Sequence, residues 1–171
     1  MLPRRDAGVH LGYRLTMKTS AGILLYRHGE TGIEVLIGHM GGPFWERKDA
    51  GAWSIPKGEM REGENTLEVA MREFEEELGS PPPPEPYLEL GEVRQANGKR
   101  VTVFAAQGDL DAEGIRSNSF EMEWPRGSGQ LREFPELDRA AWLSPALARQ
   151  KLVPAQVRFL ERLESTLGST P

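Results

Sequence analysis

Apolar residues fall along this chain in blocks with two different periods. Residues 19–26 (TSAGILLY) and 34–40 (EVLIGHM) are compact apolar runs separated by Gly29 and Gly32, and they predict two buried strands. Residues 41–53 (GGPFWERKDAGAW) are rich in glycine and charge and predict a loop that carries Phe44 and Trp45. Trp53-Ser54-Ile55 then predicts a brief strand stopped by Pro56. Past this point the period changes: Leu67, Ala70, Met71, Phe74 and Leu78 recur at three and four residues and predict a helix over about 66–78. Asn65 or Thr66 offers a capping oxygen, while Gly79 and the prolines from Pro81 to Pro84 end the helix. Residues 87–95 and 100–107 flank Asn97-Gly98 and predict an antiparallel hairpin. Residues 120–124 (FEMEW) alternate as a half-exposed strand does, 125–130 predict a loop, and 140–143 a last short strand. Ser144 caps a brief helix, and Val157, Phe159, Leu160, Leu163 and Leu167 give an amphipathic terminal helix.

Strands, a helix, more strands and a terminal helix predict an α/β fold with a mixed sheet covered by helices. At 171 residues with 38% hydrophobic content, the chain suits a single domain, expected over residues 17–168. Residues 1–16 have mixed polarity without a period and predict a flexible N-terminal arm or an edge strand, with Met17 as an alternative first residue.

Charge narrows the chemistry. A net charge of −5 and the absence of a clustered basic stripe argue against a nucleic acid partner. No apolar run approaches the roughly 18 residues of a membrane span and no secretory core opens the chain, which predicts no membrane partner and a cytoplasmic location. With no cysteine and only His10, His28 and His39 as scattered imidazoles, a metal would have to take oxygen ligands.

The predicted helix carries Arg72, Glu73, Glu76 and Glu77. At about 100° per residue the three glutamates fall within an arc of about 100° bordering the apolar face. Like charges at this spacing weaken a helix, so a compensating cation, and a divalent metal above all, is expected. Arg72 can reach Glu76 one turn on, or Glu64 at the helix start, and orient a carboxylate by paired hydrogen bonds. Three glutamates alone would read as a solvated face.

The surrounding pattern changes that reading. Gly58, five residues, Glu64, seven residues, then Arg72-Glu73-Phe74-Glu75-Glu76-Glu77-Leu78-Gly79 resembles the signature of the Nudix hydrolases, departing from it only at Ser80, where the family usually has an aliphatic residue. The resemblance implies a Nudix-like α/β/α sandwich and a divalent-metal-dependent pyrophosphohydrolase that cleaves a diphosphate linkage in a nucleoside diphosphate derivative. It implies Mg2+ or Mn2+ as cofactor, with Glu73, Glu76, Glu77 and a backbone carbonyl at Lys57 or Gly58 as ligands. Arg72 would orient carboxylates with Glu64. A further base or ligand is expected from a later loop, first from Glu121 and Glu123, then from Glu133 and Glu136. Family members often dimerise, so a homodimer is compatible with the resemblance. A catalytically inactive nucleotide-binding sensor with the same fold is the alternative.

Outside the box, Lys57 reads either as a phosphate ligand or as a turn residue. Phe44 and Trp45 read either as base-stacking groups or as loop anchors. Trp53, Phe120, Met122 and Trp124 read as packing. The family's markers for ADP-ribose and diadenosine polyphosphate hydrolases fall near Gln95 and Asn97, and neither marker is present. The Trp-Ser-Ile-Pro-Lys-Gly approach resembles that of dinucleoside polyphosphate and inositol pyrophosphate hydrolases, which favours dinucleoside polyphosphate or NTP-type substrates.

Overall fold

A computed structural model describes residues 18–168; the arm expected over residues 1–16, Met17 and His10 lie outside them. The strands are β1 (Thr19–Gly29), β2 (Gly32–Met40), β3 (Trp53–Ser54), β4 (Lys57–Glu59), β5 (Leu88–Arg94), β6 (Arg100–Gln107), β7 (Ser119–Glu123), β8 (Leu131–Pro135) and β9 (Leu137–Leu143). The helices are α1 (Thr66–Leu78), α2 (Pro145–Lys151) and α3 (Val157–Gly168). Among the described residues, seven strands form one mixed sheet in which only β1 and β6 run parallel, and β7 and β8 pair separately as a two-stranded ribbon.

The sheet is forked. Along one edge of β1, Leu25 to Gly29 pair with β2 while Ser20 to Gly22 pair with β4. Along the matching edge of β2, Gly38 and His39 pair with β3. Residues 53–59 therefore fill the gap where β1 and β2 part, held by β2 at one end and β1 at the other. Gly22 lies at the fork: a Cβ there would stand 2.3 Å from the Pro56 carbonyl oxygen, closer than any side chain tolerates.

Strand alternation divides the core between the two faces. Leu24 and Tyr26 of β1 join Val35, Ile37, Trp53, Leu152, Phe159, Leu160 and Leu163 under α2 and α3. Ala21, Ile23 and Leu25 join Leu36, Phe104, Val69, Ala70, Phe74 and Leu78 under α1. This is the expected α/β/α sandwich. The helix boundaries follow the sequence signals: Asn65 Oδ1 accepts from the Glu68 N–H (3.1 Å), and Ser144 Oγ accepts from the Leu147 N–H (3.3 Å). The centre of the α1 contact differs slightly from the expected stripe, since Val69 is buried whereas Leu67 and Met71 are half-buried.

Two strands carry no sequence signal. Lys57-Gly58-Glu59 has no apolar side chain and becomes β4 because β1 presents an unpaired edge there. β8 (LREFP) is mostly exposed and is ordered by its pairing with β7.

One polar side chain buttresses the fork. Gln156, buried between α2 and α3, accepts from the Ile55 N–H (2.8 Å) and donates to Ser54 Oγ (3.1 Å). Gln156→Ala leaves the Ile55 donor without this partner, at a cost of about 1–3 kcal/mol. Urea unfolding should show a lower midpoint with an unchanged slope; an unchanged midpoint would mean that Gln156 is dispensable to the fork.

Candidate functional site

At the junction of α1 with the fork lies a cavity of about 750 Å³. Glu73, Glu76 and Glu77 of α1 line it, together with Glu136 from the link between β8 and β9. Lys57, Gly58 and Glu59 of β4, followed by Met60 and Arg61, line it beside them. Gln95, Asn97 and Lys99 of the β5–β6 turn close one end, and Arg72, Asn118 and Ser20 complete the wall.

The position of each carboxylate has a local cause. Glu73 lies against the backbone of β4: a Cβ on Gly58 would come within 2.0 Å of its carboxyl carbon, so only glycine permits this approach. Glu77 sits in the apolar stripe of α1 between Phe74 and Leu78, and its buried Oε2 accepts from the Lys57 N–H (3.1 Å). Burial pushes the Glu77 carboxyl up to about 8, against the attraction of the Lys57 charge. Burial also raises Glu73, and repulsion from Glu76 adds to it, while Arg72 opposes the rise.

Arg72 and Glu64 brace the entrance to the helix. Arg72 donates to Glu64 Oε1 (2.8 Å) and stands 3.8 Å from Glu73 Oε1. The other Glu64 oxygen accepts from the Arg61 N–H (2.7 Å), so Glu64 ties the loop to the helix. The Arg72 hydrogen bond holds the Glu64 carboxyl below its ordinary range. At the far end Gly79 adopts a left-handed conformation (φ 80°) and donates to the Glu75 carbonyl (2.8 Å). Asn118 and Arg116 N–H groups cover the carbonyls of Glu76 (2.8 Å) and Leu78 (3.0 Å).

The same Asn118 sets the fourth carboxylate. Its carbonyl accepts from the Glu136 N–H (2.9 Å), and the Glu136 carbonyl accepts from the Gly41 N–H (2.9 Å). Glu136 is half-buried, and burial raises its pKa while Lys57 pulls it down. Burial likewise depresses Lys57, opposed first by Glu77.

Of the residues anticipated from sequence, Glu64 stands at the edge through Arg72, and Lys57, Gly58, Arg72, Glu73, Glu76, Glu77 and Glu136 share this cavity. Glu121, Glu123 and Glu133 do not line it. They occupy the exposed positions of β7 and β8, whose half-buried face carries Phe120, Met122 and Phe134. Phe44 and Trp45 also lie outside it. Trp45 packs on the core below α2 and α3, and Phe44, 57% exposed, supports Lys48 Nζ at 3.4 Å from its ring. Trp53 is core. His39 is wholly buried and structural: Nε2 faces the Lys48 carbonyl at 2.7 Å and Nδ1 lies 2.9 Å from Asp138. Sequence reasoning did not single out Ser20, Lys99 or Asn118, because only long-range pairing brings them to the site.

The donor set is composed of oxygen and suits a hard divalent cation. Among the described residues no three acidic or imidazole side chains already stand gathered as a cage, as expected of carboxylates that repel one another. Raised Glu73 and Glu77 are the complementary sign, since a cation would relieve both the repulsion and the cost of burying charge.

This burial makes stability depend on pH. The folded protein holds a proton on Glu77 up to about pH 8, whereas the unfolded chain releases it near 4.5. The group's contribution is therefore complete below about 4.5 and is lost as pH rises through about 8. In chelator, Tm should fall across this window for the native protein and fall less for Glu77→Gln; parallel melting profiles would contradict the assignment.

Comparison with known proteins bears on the fold and the family. No curated protein matches the chain in sequence. Among solved structures, a C. elegans Ap4A hydrolase in a binary complex superposes with a TM-score of 0.61 at 19% identity, covering 90% of this chain and 100% of that one. The NUDIX domain of Shewanella oneidensis NrtR, complexed with ADP ribose, gives 0.60 at 15% identity and 88% of each chain. A MutT protein from Methanosarcina mazei Go1 gives 0.58 at 21%, covering 88% and 95%. These likenesses establish the fold, and no helix among the described residues is long and apolar enough to cross a membrane. The sequence model of the NUDIX domain matches residues 16–163, nearly the whole chain, which therefore belongs to the Nudix family and is a hydrolase acting on pyrophosphate bonds.

Proposed function

We propose that this protein is a divalent-metal-dependent pyrophosphohydrolase for a nucleoside diphosphate derivative, with dinucleoside polyphosphates or nucleoside triphosphates as the preferred class. The observation that carries this reading is the presence of four carboxylates, Glu73, Glu76, Glu77 and Glu136, in the lining of one polar cavity that Lys57 also lines.

Glu73, Glu76 and Glu77, with a backbone carbonyl at Lys57 or Gly58, would hold magnesium or manganese. When bound, such an ion neutralises diphosphate oxygens and acidifies an attacking water. Arg72 keeps Glu64 and Glu73 in orientation, and Lys57 attracts the anionic substrate. Glu136 is the general base in this scheme, because it faces the cavity and its partial burial makes it more basic than an exposed glutamate. Product release returns that proton to solvent.

Ap4A, for which the C. elegans hydrolase is named, and ADP ribose, with which the NrtR domain is complexed, belong to the substrate classes worth testing first. A sensor that had lost the reaction would have no use for this complete carboxylate set, so hydrolysis is the preferred reading. The soluble small-molecule substrate is the only partner the site requires.

Incubation with nucleoside triphosphates, ADP-ribose, dinucleoside polyphosphates, NADH and inositol pyrophosphates, with magnesium and with manganese, identifies the substrate by its products. Glu76→Gln and Glu77→Gln should each abolish turnover with the fold retained by circular dichroism. Glu136→Gln should lower kcat by about 100-fold or more, the usual contribution of a general base. Near-normal magnesium-dependent activity in the first two variants would overturn the proposal, and an unaltered kcat in the third would remove Glu136 from it.

A further inference from the structure

The cavity that holds the carboxylates also holds cations. Lys57, Arg61 and Lys99 line it, and the β5–β6 turn adds Gln95 and Asn97. Glu59, which lines it next to Lys57, lies between two ammonium groups, 3.5 Å from Lys18 and 4.0 Å from Lys99. Neither Lys57 nor the Arg61 guanidinium forms an ion pair with its side chain among the described residues. The β4–Arg61 segment and the β5–β6 turn therefore bring more positive than negative charge to the cavity.

The turn that carries Lys99 is braced. Gln95 donates its N–H to the Lys99 carbonyl (2.8 Å), Gly98 donates to the Gln95 carbonyl (2.9 Å), and the Asn97 side-chain oxygen accepts from the Lys99 N–H (3.0 Å). With its oxygen engaged in the turn, Asn97 has its amide N–H groups left to offer. Arg61 is anchored through its own N–H to Glu64 (2.7 Å), which the Arg72 contact fixes in turn. The cationic groups thus project from fixed backbone.

Among the described residues no aromatic side chain lines the cavity, and Met60 is the single large apolar one. A nucleobase is held by stacking or by an apolar wall, and the described lining provides neither. Charged and amide donors without rings fit phosphate oxygens.

We infer that Arg61 and Lys99, with the amides of Gln95 and Asn97, form a subsite for a phosphate beyond the diphosphate that is hydrolysed, so that the cavity selects its substrate by the length of a phosphate chain. The inference rests on the proposed hydrolase reading for the position of the attacked bond, but the anion subsite can be tested by binding alone. Imidodiphosphate and diimidotriphosphate, whose bridges resist hydrolysis, serve as probes of two and three phosphates.

Calorimetry in magnesium should show the native protein binding diimidotriphosphate about tenfold or more tightly than imidodiphosphate, the worth of one charge-assisted contact. Lys99→Met and Arg61→Met should each reduce that ratio by a similar factor, and Lys99→Arg should retain it. Arg149→Met, which removes the same charge from exposed α2, controls for net charge and should leave the ratio unchanged. An unaltered Tm in each variant excludes unfolding as the cause. Equal affinities for the two probes in the native protein, equal weakening of both probes in the cavity variants, or an equal effect of Arg149→Met would each overturn the subsite. A protein that shows the expected binding yet hydrolyses none of the substrates would retain the subsite and lose the hydrolase assignment.

Discussion

Where Gly58 meets the Glu73 carboxyl group, helix and strand approach more closely than any side chain on the strand would allow, and the rest of the site is arranged around that approach. It is possible because the sheet divides at Gly22 and admits β4 between β1 and β2. An unforked sheet would continue β2 alongside β1 and leave no backbone beneath α1 at this point. The Lys57 N–H that meets Glu77 comes from the same inserted segment, so one departure from regular pairing positions two of the carboxylates.

The electrostatics follow from the packing. Phe74 and Leu78 draw α1 onto the sheet, and Glu77, lying between them in sequence and on the same face, is buried with them. A buried carboxylate is costly in its charged form, and the fold opposes that cost with one backbone N–H and the nearby Lys57 charge. Carboxylates and cations share the lining of one cavity, with Arg72 beside Glu73 and Lys99 beside Glu59. A bound cation would offset the carboxylates and leave the cations Lys57 and Arg61 to favour an anion.

Much of this could be read from residue order. The 3.6-residue period predicted α1 and Asn97-Gly98 predicted the β5–β6 hairpin, while the spacing of Gly58, Glu64 and Arg72 to Gly79 singled out charges of which Arg72, Glu73, Glu76 and Glu77 line one cavity. These signals are local, contained in one turn or one helix. β4 was not legible, since Lys57-Gly58-Glu59 has no apolar residue and becomes a strand only through Ser20 to Gly22. The fourth carboxylate had the same difficulty: several glutamates follow the box, and only the Asn118 and Gly41 contacts distinguish Glu136 from Glu121, Glu123 and Glu133. Phe44 and Trp45 show the converse, since aromatic residues in a predicted loop suggested stacking and the fold uses Trp45 as an anchor.

The ribbon of β7 and β8 stands apart from the main sheet and is bonded chiefly to itself. Its two ends are fastened by a single arrangement, in which Asn118 binds the Glu76 and Glu136 backbones and Ser117 Oγ accepts from the Leu137 N–H (3.0 Å). Between those fastenings the two strands pair with each other, and Phe120 and Pro135 stand against Gly42 and Gly41 of the loop that follows β2. A change in the ribbon would therefore be felt in two places, the loop that carries Phe44 and Trp45 and the backbone at Glu76 and Glu136.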